Sequence, residues 1–171
     1  MPVSAFAAAM CCNVGKLASV TASAMNAASH LPTVTCRHGQ VHIVDDDEAV
    51  RTSLVLLACA QGWRTYAYAS ASEFLDASVH IEQPACLVLD LQMPGMDGAR
   101  LCEKLLERGH DLPTLVLTAW PGGELARRAV MAGAREVIAK PCDPMLWLQA
   151  VERALAPGPG GASHTKAGSP G

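Results

Sequence analysis

The feature that most limits the fold of this chain is a set of four apolar segments that each run directly into a polar residue. Val41–Val44 precedes Asp45 and Asp46, Ala85–Leu89 precedes Asp90, Pro113–Leu117 precedes Thr118, and Glu136–Ala139 precedes Lys140. Such runs are typical of parallel strands that helices cover on both faces. Ligands bind open parallel sheets outside the carboxyl ends of the strands. We therefore expect these polar residues to meet at one rim, as a site for Mg2+ and a phosphoryl group.

Segments with helical periodicity alternate with these strands. They are Glu48–Gln61, Ser70–Ala77, Gly98–Arg108, Gly123–Ala132 and Asp143–Leu155. Trp63–Ala69 alternates between apolar and polar residues, as a strand at the edge of a sheet does. Because crossovers between parallel strands are right-handed, the pattern predicts an α/β fold. We expect a (βα)5 flavodoxin-like three-layer sandwich with a parallel sheet in the order 2-1-3-4-5.

The distribution of charge argues against direct binding of nucleic acids. All 16 acidic residues lie between Asp45 and Glu152, whereas four of the 13 basic residues, Lys16, Arg37, Arg153 and Lys166, lie outside that region. The region is therefore more acidic than the whole chain, whose formal net charge is −3. It offers no basic patch that could neutralise phosphates.

Cysteine usage and hydropathy predict a cytoplasmic protein. The chain has seven cysteines, an odd number, and no two of them form a CxxC pair. This pattern favours reduced thiols. No apolar run approaches the ~18 residues that cross a bilayer, so we expect no association with a membrane.

Composition divides the chain into three parts. Residues 1–40 are rich in Ala and Ser and contain no acid. We predict a disordered extension there, or a translation start placed too early; a targeting segment is the alternative, although nothing basic precedes the apolar run as a signal peptide requires. Residues 41–156 form the folded domain. Residues 157–171, rich in Pro, Gly and Ser, are predicted to be a flexible tail.

Each polar residue at the strand ends also has a purely structural explanation, and their combination is what indicates a site. A single Asp can cap a helix or form a turn. The adjacent acids Asp45 and Asp46, however, repel each other unless a cation lies between them. Asp90 precedes LQMPGMDG, a tight turn and helix start that would hold it rigidly, as suits a nucleophilic carboxylate. Thr118 and Lys140 indicate a functional site only because we expect them at the same rim as the acids.

Four motifs in this order resemble the receiver domains of two-component response regulators. They are VHIVDDDEAVRTSL, LVLDLQMPGMDG, PTLVLTAW and GAREVIAKP, all within Val41–Leu155. The most similar subtype is the receivers that precede helix-turn-helix domains in nitrogen-fixation and redox regulators. Any one motif is weak evidence, but the ordered set is specific.

The resemblance implies a metal site. Asp45 and Asp46 look like the acids that hold Mg2+ in this family. They would do so together with Asp90 and the backbone carbonyl of Gln92.

The resemblance also implies phosphoryl chemistry. Asp90 looks like the aspartate that accepts a phosphoryl group from a phosphohistidine. Thr118 looks like the hydroxyl that bonds this group, and Lys140 looks like the lysine that pairs with it. Pro141 matches the proline that follows the lysine and is often cis in the family.

Two features depart from the family pattern. Val137 stands three residues before Lys140, where the family usually carries a Phe or Tyr that swings inward as the threonine is drawn to the phosphate. A Val side chain is short and stiff at χ1, so we expect the chemistry to survive but not the usual readout. Only residues 157–171 follow the last predicted helix, too few for a three-helix DNA reader, so we expect no output domain.

We therefore predict a stand-alone receiver that accepts a phosphoryl group on Asp90 in a Mg2+-dependent phosphorelay. The donor would be a sensor histidine kinase or a histidine phosphotransfer protein. The receiver would signal through a downstream protein target, with room for a dimer formed on phosphorylation. It would not be an enzyme beyond promoting its own phosphorylation and dephosphorylation.

Two other functions stay open at this point. One is a protein-binding module that works without phosphorylation, which Val137 motivates. The other is the receiver fragment of a DNA-binding transcriptional regulator. A phosphatase with an Asp nucleophile is disfavoured, because Gln92 stands two residues past Asp90, where such enzymes carry an acid, and an amide cannot transfer a proton usefully.

Overall fold

The computed structural model describes residues 39–77 and 81–156. Strands and helices alternate strictly along these residues. The strands are β1 (Gln40–Val44), β2 (Arg64–Tyr68), β3 (Ala85–Asp90), β4 (Thr114–Thr118) and β5 (Glu136–Ala139). The helices are α1 (Glu48–Ala60), α2 (Ala71–Ala77), α3 (Gly98–Glu107), α4 (Glu124–Met131) and α5 (Pro144–Leu155).

The helix starts follow from local capping residues. The Asp47 carboxylate accepts hydrogen bonds from the N–H groups of Ala49 and Val50, at 2.8 and 3.2 Å. The Ser70 hydroxyl accepts one from the N–H of Glu73 at 3.2 Å. These bonds satisfy N–H groups that the first turn of a helix leaves unpaired. Each predicted element is present, with boundaries shifted by at most one residue.

The strands form one parallel sheet in the order β2-β1-β3-β4-β5. This confirms the predicted fold class and strand order. The strand β2, which the sequence analysis places at an edge, lies there and exposes Arg64 and Ala67. Every residue of β1, β3 and β4 is buried. All strands are parallel, so their carboxyl ends lie at one edge of the sheet.

Two apolar cores, one on each face, hold the sheet between the helices. Alternate strand residues point to opposite faces, so neighbours in β1 enter different cores. Helices α1 and α5 cover one face, over a core that includes Val41, Ile43, Val88, Leu117 and Trp147. Helices α2, α3 and α4 cover the other, over a core that includes Val44, Phe74, Leu87, Leu89 and Leu101. Burial of each large side chain contributes about 1.5–3 kcal/mol, which makes the sheet a rigid base for its rim.

The predicted extension and tail lie almost entirely outside the described residues, and the domain boundaries stay a prediction. In the part that the structure describes, no helix is both long and apolar enough to cross a membrane. Cys86, Cys102 and Cys142 are free thiols.

His42 is a buried polar residue within β1. Its ring stacks on Tyr66 with centroids 4.9 Å apart. Its Nδ1 lies 3.1 Å from the Tyr68 hydroxyl, and its Nε2 lies 3.3 Å from the Gln40 side-chain oxygen. Burial lowers the pKa of His42 from 6.5 to about 4, so the folded protein holds this ring neutral at neutral pH.

We predict that His42 makes the fold less stable in acid. The unfolded chain binds a proton at His42 below its ordinary pKa of 6.5, whereas the folded chain does so only near 4. As the pH is lowered from 6.5 toward 4, the free energy of unfolding should therefore fall by about 1.4 kcal/mol per pH unit. Asp90 has a raised pKa in the folded protein, so the folded chain takes up this proton more readily than the unfolded chain. In the pH range where Asp90 titrates, this raises the free energy of unfolding as the pH falls. Urea denaturation at pH 7, 6 and 5 measures this slope.

The variant His42→Phe should lose this part of the slope, because it keeps an aromatic ring but has no group to protonate. The variant His110→Gln, at an exposed loop position, serves as the control and should follow the wild type. Equal slopes in wild type and His42→Phe would contradict the assignment.

Candidate functional site

Three carboxylates meet at the carboxyl edge of the sheet. Asp45 and Asp46 follow β1, and Asp90 ends β3, the strand that pairs with β1. Each offers a carboxylate oxygen, and these three oxygens all lie within 4.8 Å of one another. Asp45 is 1% exposed and Asp90 6% exposed, whereas Asp46 faces solvent. The structure thus brings together the three acidic side chains that the sequence analysis assigns to a metal.

Lys140 lies between two of these carboxylates. Its Nζ is 2.9 Å from Asp45 Oδ2 and 3.2 Å from Asp90 Oδ1. Its backbone N–H donates a hydrogen bond of 2.8 Å to the carbonyl of Thr118, which fixes the end of β5 against β4. The Lys140–Pro141 peptide bond is cis, as the family resemblance implies. The lysine can therefore reach any group attached to Asp90.

The pKa values of Asp90 and Lys140 reflect the crowding of charge at the rim. Burial raises the pKa of Asp90, the charge of Lys140 offsets part of this effect, and the nearby Asp45 adds to it. For Lys140, burial opposes the cation, but the hydrogen bond and charge of Asp45 outweigh it, and the pKa is raised. Lys140 therefore stays charged in contact with two of the three acids, and a further cation among them would relieve the repulsion that remains.

Thr118 is buried at the end of β4, next to the strand that carries Asp90. Asp90 pairs with Leu117 across the sheet, so Thr118 lies one residue further toward the rim. Its hydroxyl oxygen accepts a hydrogen bond of 3.1 Å from the backbone N–H of Trp120. Within residues 39–77 and 81–156 this hydroxyl donates no hydrogen bond, which leaves its hydrogen for a group on Asp90. Trp120, two residues after Thr118, is 65% exposed.

The loop after Asp90 is held by close contact with the start of α3. The N–H of Gly98 donates a hydrogen bond of 3.1 Å to the carbonyl of Leu91. A Cβ at position 98 would overlap the carbonyl oxygen of Asp90 and lie 2.9 Å from the Leu91 Cα. Only glycine fits this approach. Gly95 has φ +79°, a conformation that glycine adopts without strain.

Gln92 lies in this loop and is exposed. Its backbone N–H donates a hydrogen bond to the Asp90 carboxylate, which helps to orient the acid. The role of its carbonyl as a metal ligand stays a prediction. The donor set at the rim consists of carboxylate oxygens, which are the ligands that Mg2+ prefers, so the residues present fit this ion.

Sequence reasoning missed one contact at the rim. Arg51, in the second turn of α1, donates a hydrogen bond from its guanidinium to the backbone carbonyl of Asp45, at 2.6 Å. The available signal was a basic residue one turn after the capping Asp47, on the helix that follows the acids. No sequence pattern states which way such a long side chain turns.

Val137 occupies the position where the family usually carries an aromatic ring. It pairs with Val116 of β4 and is partly buried against the core beneath α2, α3 and α4. The surrounding surface of α4 exposes Val130 and Met131. The residue at this position of β5 is therefore small and aliphatic, and its side chain packs against the core.

Comparison with known proteins identifies the fold and family. The family model for the response regulator receiver domain matches residues 41–152. The transcriptional regulatory protein FixJ of Azorhizobium caulinodans is 37% identical over 115 residues, which cover 67% of this chain and 54% of that protein. The transcriptional regulatory protein TdiR of Thauera aromatica is 36% identical over 124 residues, which cover 72% and 54%.

A solved structure gives the same result. The crystal structure of FixJ-N superposes with a TM-score of 0.63 at 34% identity, over 69% of this chain and 94% of that one. The chain spans about half the length of the curated relatives that it matches. Receiver domains are typically signalling modules and not enzymes. From its motifs, its sheet order and these matches, the chain belongs to the response regulator receiver family of two-component systems.

Proposed function

We propose that this receiver takes a phosphoryl group on Asp90 from the phosphohistidine of a sensor histidine kinase or a histidine phosphotransfer protein. The observation that carries the proposal is the pair of contacts from Lys140 to Asp45 and Asp90, beside the acidic cluster. A structural ion pair would not require a third carboxylate within reach. We further propose that transfer depends on Mg2+ held by Asp45, Asp46, Asp90 and the carbonyl of Gln92.

The rim residues have distinct parts in this transfer. A carboxylate oxygen of Asp90 attacks phosphorus, an oxygen–phosphorus bond forms, and the bond from phosphorus to the donor's imidazole nitrogen breaks. Lys140 keeps its charge and passes from the Asp90 oxygen to an oxygen of the transferred group. The hydroxyl of Thr118 donates to another oxygen of that group. Bound Mg2+ would supply further neutralisation of the phosphoryl charge.

Catalysis in such a site consists of positioning and charge stabilisation. Phosphoryl transfer passes through a state in which negative charge is spread over the oxygens of the moving group. Groups that are already oriented toward that charge stabilise it without rearrangement. Here the Gly98 contact fixes the Asp90 loop, and the bond between Lys140 N–H and the Thr118 carbonyl fixes the opposite side.

Signalling by the domain on its own, through contacts with a downstream protein, is part of the proposal. The acidic charge of Asp45–Glu152 supports protein contacts over direct contact with nucleic acid. A phosphorylation-dependent dimer is compatible with this scheme. The cytoplasm is the proposed location, which the odd number of cysteines and the absence of a CxxC pair support.

A second candidate has specific support. FixJ and TdiR are transcriptional regulatory proteins, and this chain corresponds to about half of each. The domain would then be the receiver part of a DNA-binding regulator and would control an attached output domain. The chemistry at Asp90 is the same in both schemes.

The phosphoryl acceptor is tested with acetyl phosphate and Mg2+. We expect intact-protein mass spectrometry to find one added phosphoryl group on the wild type. We expect none on Asp90→Asn, because the isosteric amide is not a nucleophile. The matched control is Asp111→Asn, an exposed acid in the loop that leads into the amino end of β4, which should be labelled like the wild type. Full labelling of Asp90→Asn would remove the central assignment.

The replacement of the usual ring by Val137 is tested by hydrogen exchange. With beryllofluoride and Mg2+ as a phosphoryl mimic, we expect strong protection around Asp90 and weak protection across Val130–Ala139. A ligand shifts a conformational equilibrium only by its differential interaction with the two states, and a small side chain offers little difference. The variant Val137→Phe supplies a ring and should show more protection there. Strong protection of this segment in the wild type would contradict the expectation.

A further inference from the structure

Of the three acids at the rim, Asp46 has the carboxylate with the fewest hydrogen bonds from the described residues. The Asp45 carboxylate receives Lys140 Nζ at 2.9 Å and the N–H of Asp47 at 2.9 Å. The Asp90 carboxylate receives Lys140 and the N–H of Gln92. For Asp46, no hydrogen bond to the carboxylate is present from residues 39–77 and 81–156, and the residue is exposed. Its position therefore depends on the backbone that carries it.

The peptide that joins Asp45 to Asp46 is held by a side chain of α1. The guanidinium of Arg51 donates its 2.6 Å hydrogen bond to the carbonyl oxygen of this peptide. The Arg51 N–H in turn bonds the carbonyl of Asp47 at 2.9 Å, within α1. The side chain thus ties the end of β1 to the first turns of the helix. A planar, charged donor on a short bond limits the rotation of the peptide.

We propose that Arg51 is a positioning residue for the divalent cation of the rim, a role that rests on the proposed function. By holding the Asp45 carbonyl toward α1, Arg51 sets the direction of the Asp46 Cα–Cβ bond. This keeps the Asp46 carboxylate within reach of the oxygens of Asp45 and Asp90. Arg51 itself contacts neither the phosphoryl group nor the ion.

The positive charge of Arg51, taken alone, would weaken Mg2+ binding. A cation near the rim repels a divalent ion, so the electrostatic contribution of Arg51 lowers the affinity for Mg2+. Removal of the guanidinium would then tighten binding if charge were its only influence. Removal weakens binding if its hydrogen bond positions Asp46. The sign of the change in Kd therefore separates the two explanations.

The experiment is isothermal titration of the full chain with Mg2+ at pH 7, alongside melting temperatures in EDTA. Arg51→Met is neutral and similar in length, and Arg51→Gln is a second neutral variant in case the first does not fold. We expect both to raise the Kd for Mg2+ about tenfold, as loss of a residue that orients a metal ligand does. The labelling rate with acetyl phosphate should return to the wild-type value at saturating Mg2+.

Arg64→Met provides the matched control. Arg64 begins β2, at the edge of the sheet away from the rim, and pairs with the exposed Glu82 at 3.3 Å. Its Kd for Mg2+ should equal that of the wild type. An unchanged or tighter Kd in the Arg51 variants would overturn the inference, whether or not their melting temperatures fall.

The outcomes also separate this inference from the proposed function. If the wild type binds Mg2+ and is labelled on Asp90 while the Arg51 variants bind Mg2+ normally, only the role of Arg51 fails. If the wild type itself binds no Mg2+, the metal-dependent function and the role of Arg51 fail together.

Discussion

The repulsion among three carboxylates at the end of β1 and β3 is the constraint on which the rest of the site depends. Asp45 and Asp90 are nearly inaccessible to water, where an uncompensated negative charge is costly. Lys140 compensates part of it by contact with both acids. The remaining negative charge, with Asp46 at the entrance, is what suits the rim to a divalent cation and to an incoming phosphoryl group.

The fold holds this unfavourable arrangement because apolar cores on both faces of the sheet stabilise it. Apolar side chains on both faces of the fully buried strands β1, β3 and β4 stabilise the strands whose ends carry the acids. The close approach of Gly98 to the Asp90 carbonyl then leaves the loop little freedom. Strain and like charge are tolerated at a site when the surrounding structure fixes it.

Strand and helix periodicity was enough to predict the order of elements, the edge position of β2 and the meeting of Asp45, Asp46 and Asp90, since parallel strands place their carboxyl ends together. The contacts of the long side chains were not predictable in this way. A motif positions Lys140 on the rim but does not state that it contacts two acids at once. The bond from Arg51 to a backbone carbonyl depends on tertiary placement, which periodicity does not encode.

The most direct test of the account is a crystal structure with Mn2+, as an anomalous substitute for Mg2+, and beryllofluoride. The account predicts one anomalous peak among the carboxylates of Asp45, Asp46 and Asp90, and beryllofluoride on an Asp90 oxygen. It also predicts that Lys140 Nζ moves from its contact with Asp90 to a fluorine. A rim without the anomalous peak, or beryllofluoride bound away from Asp90, would contradict the account.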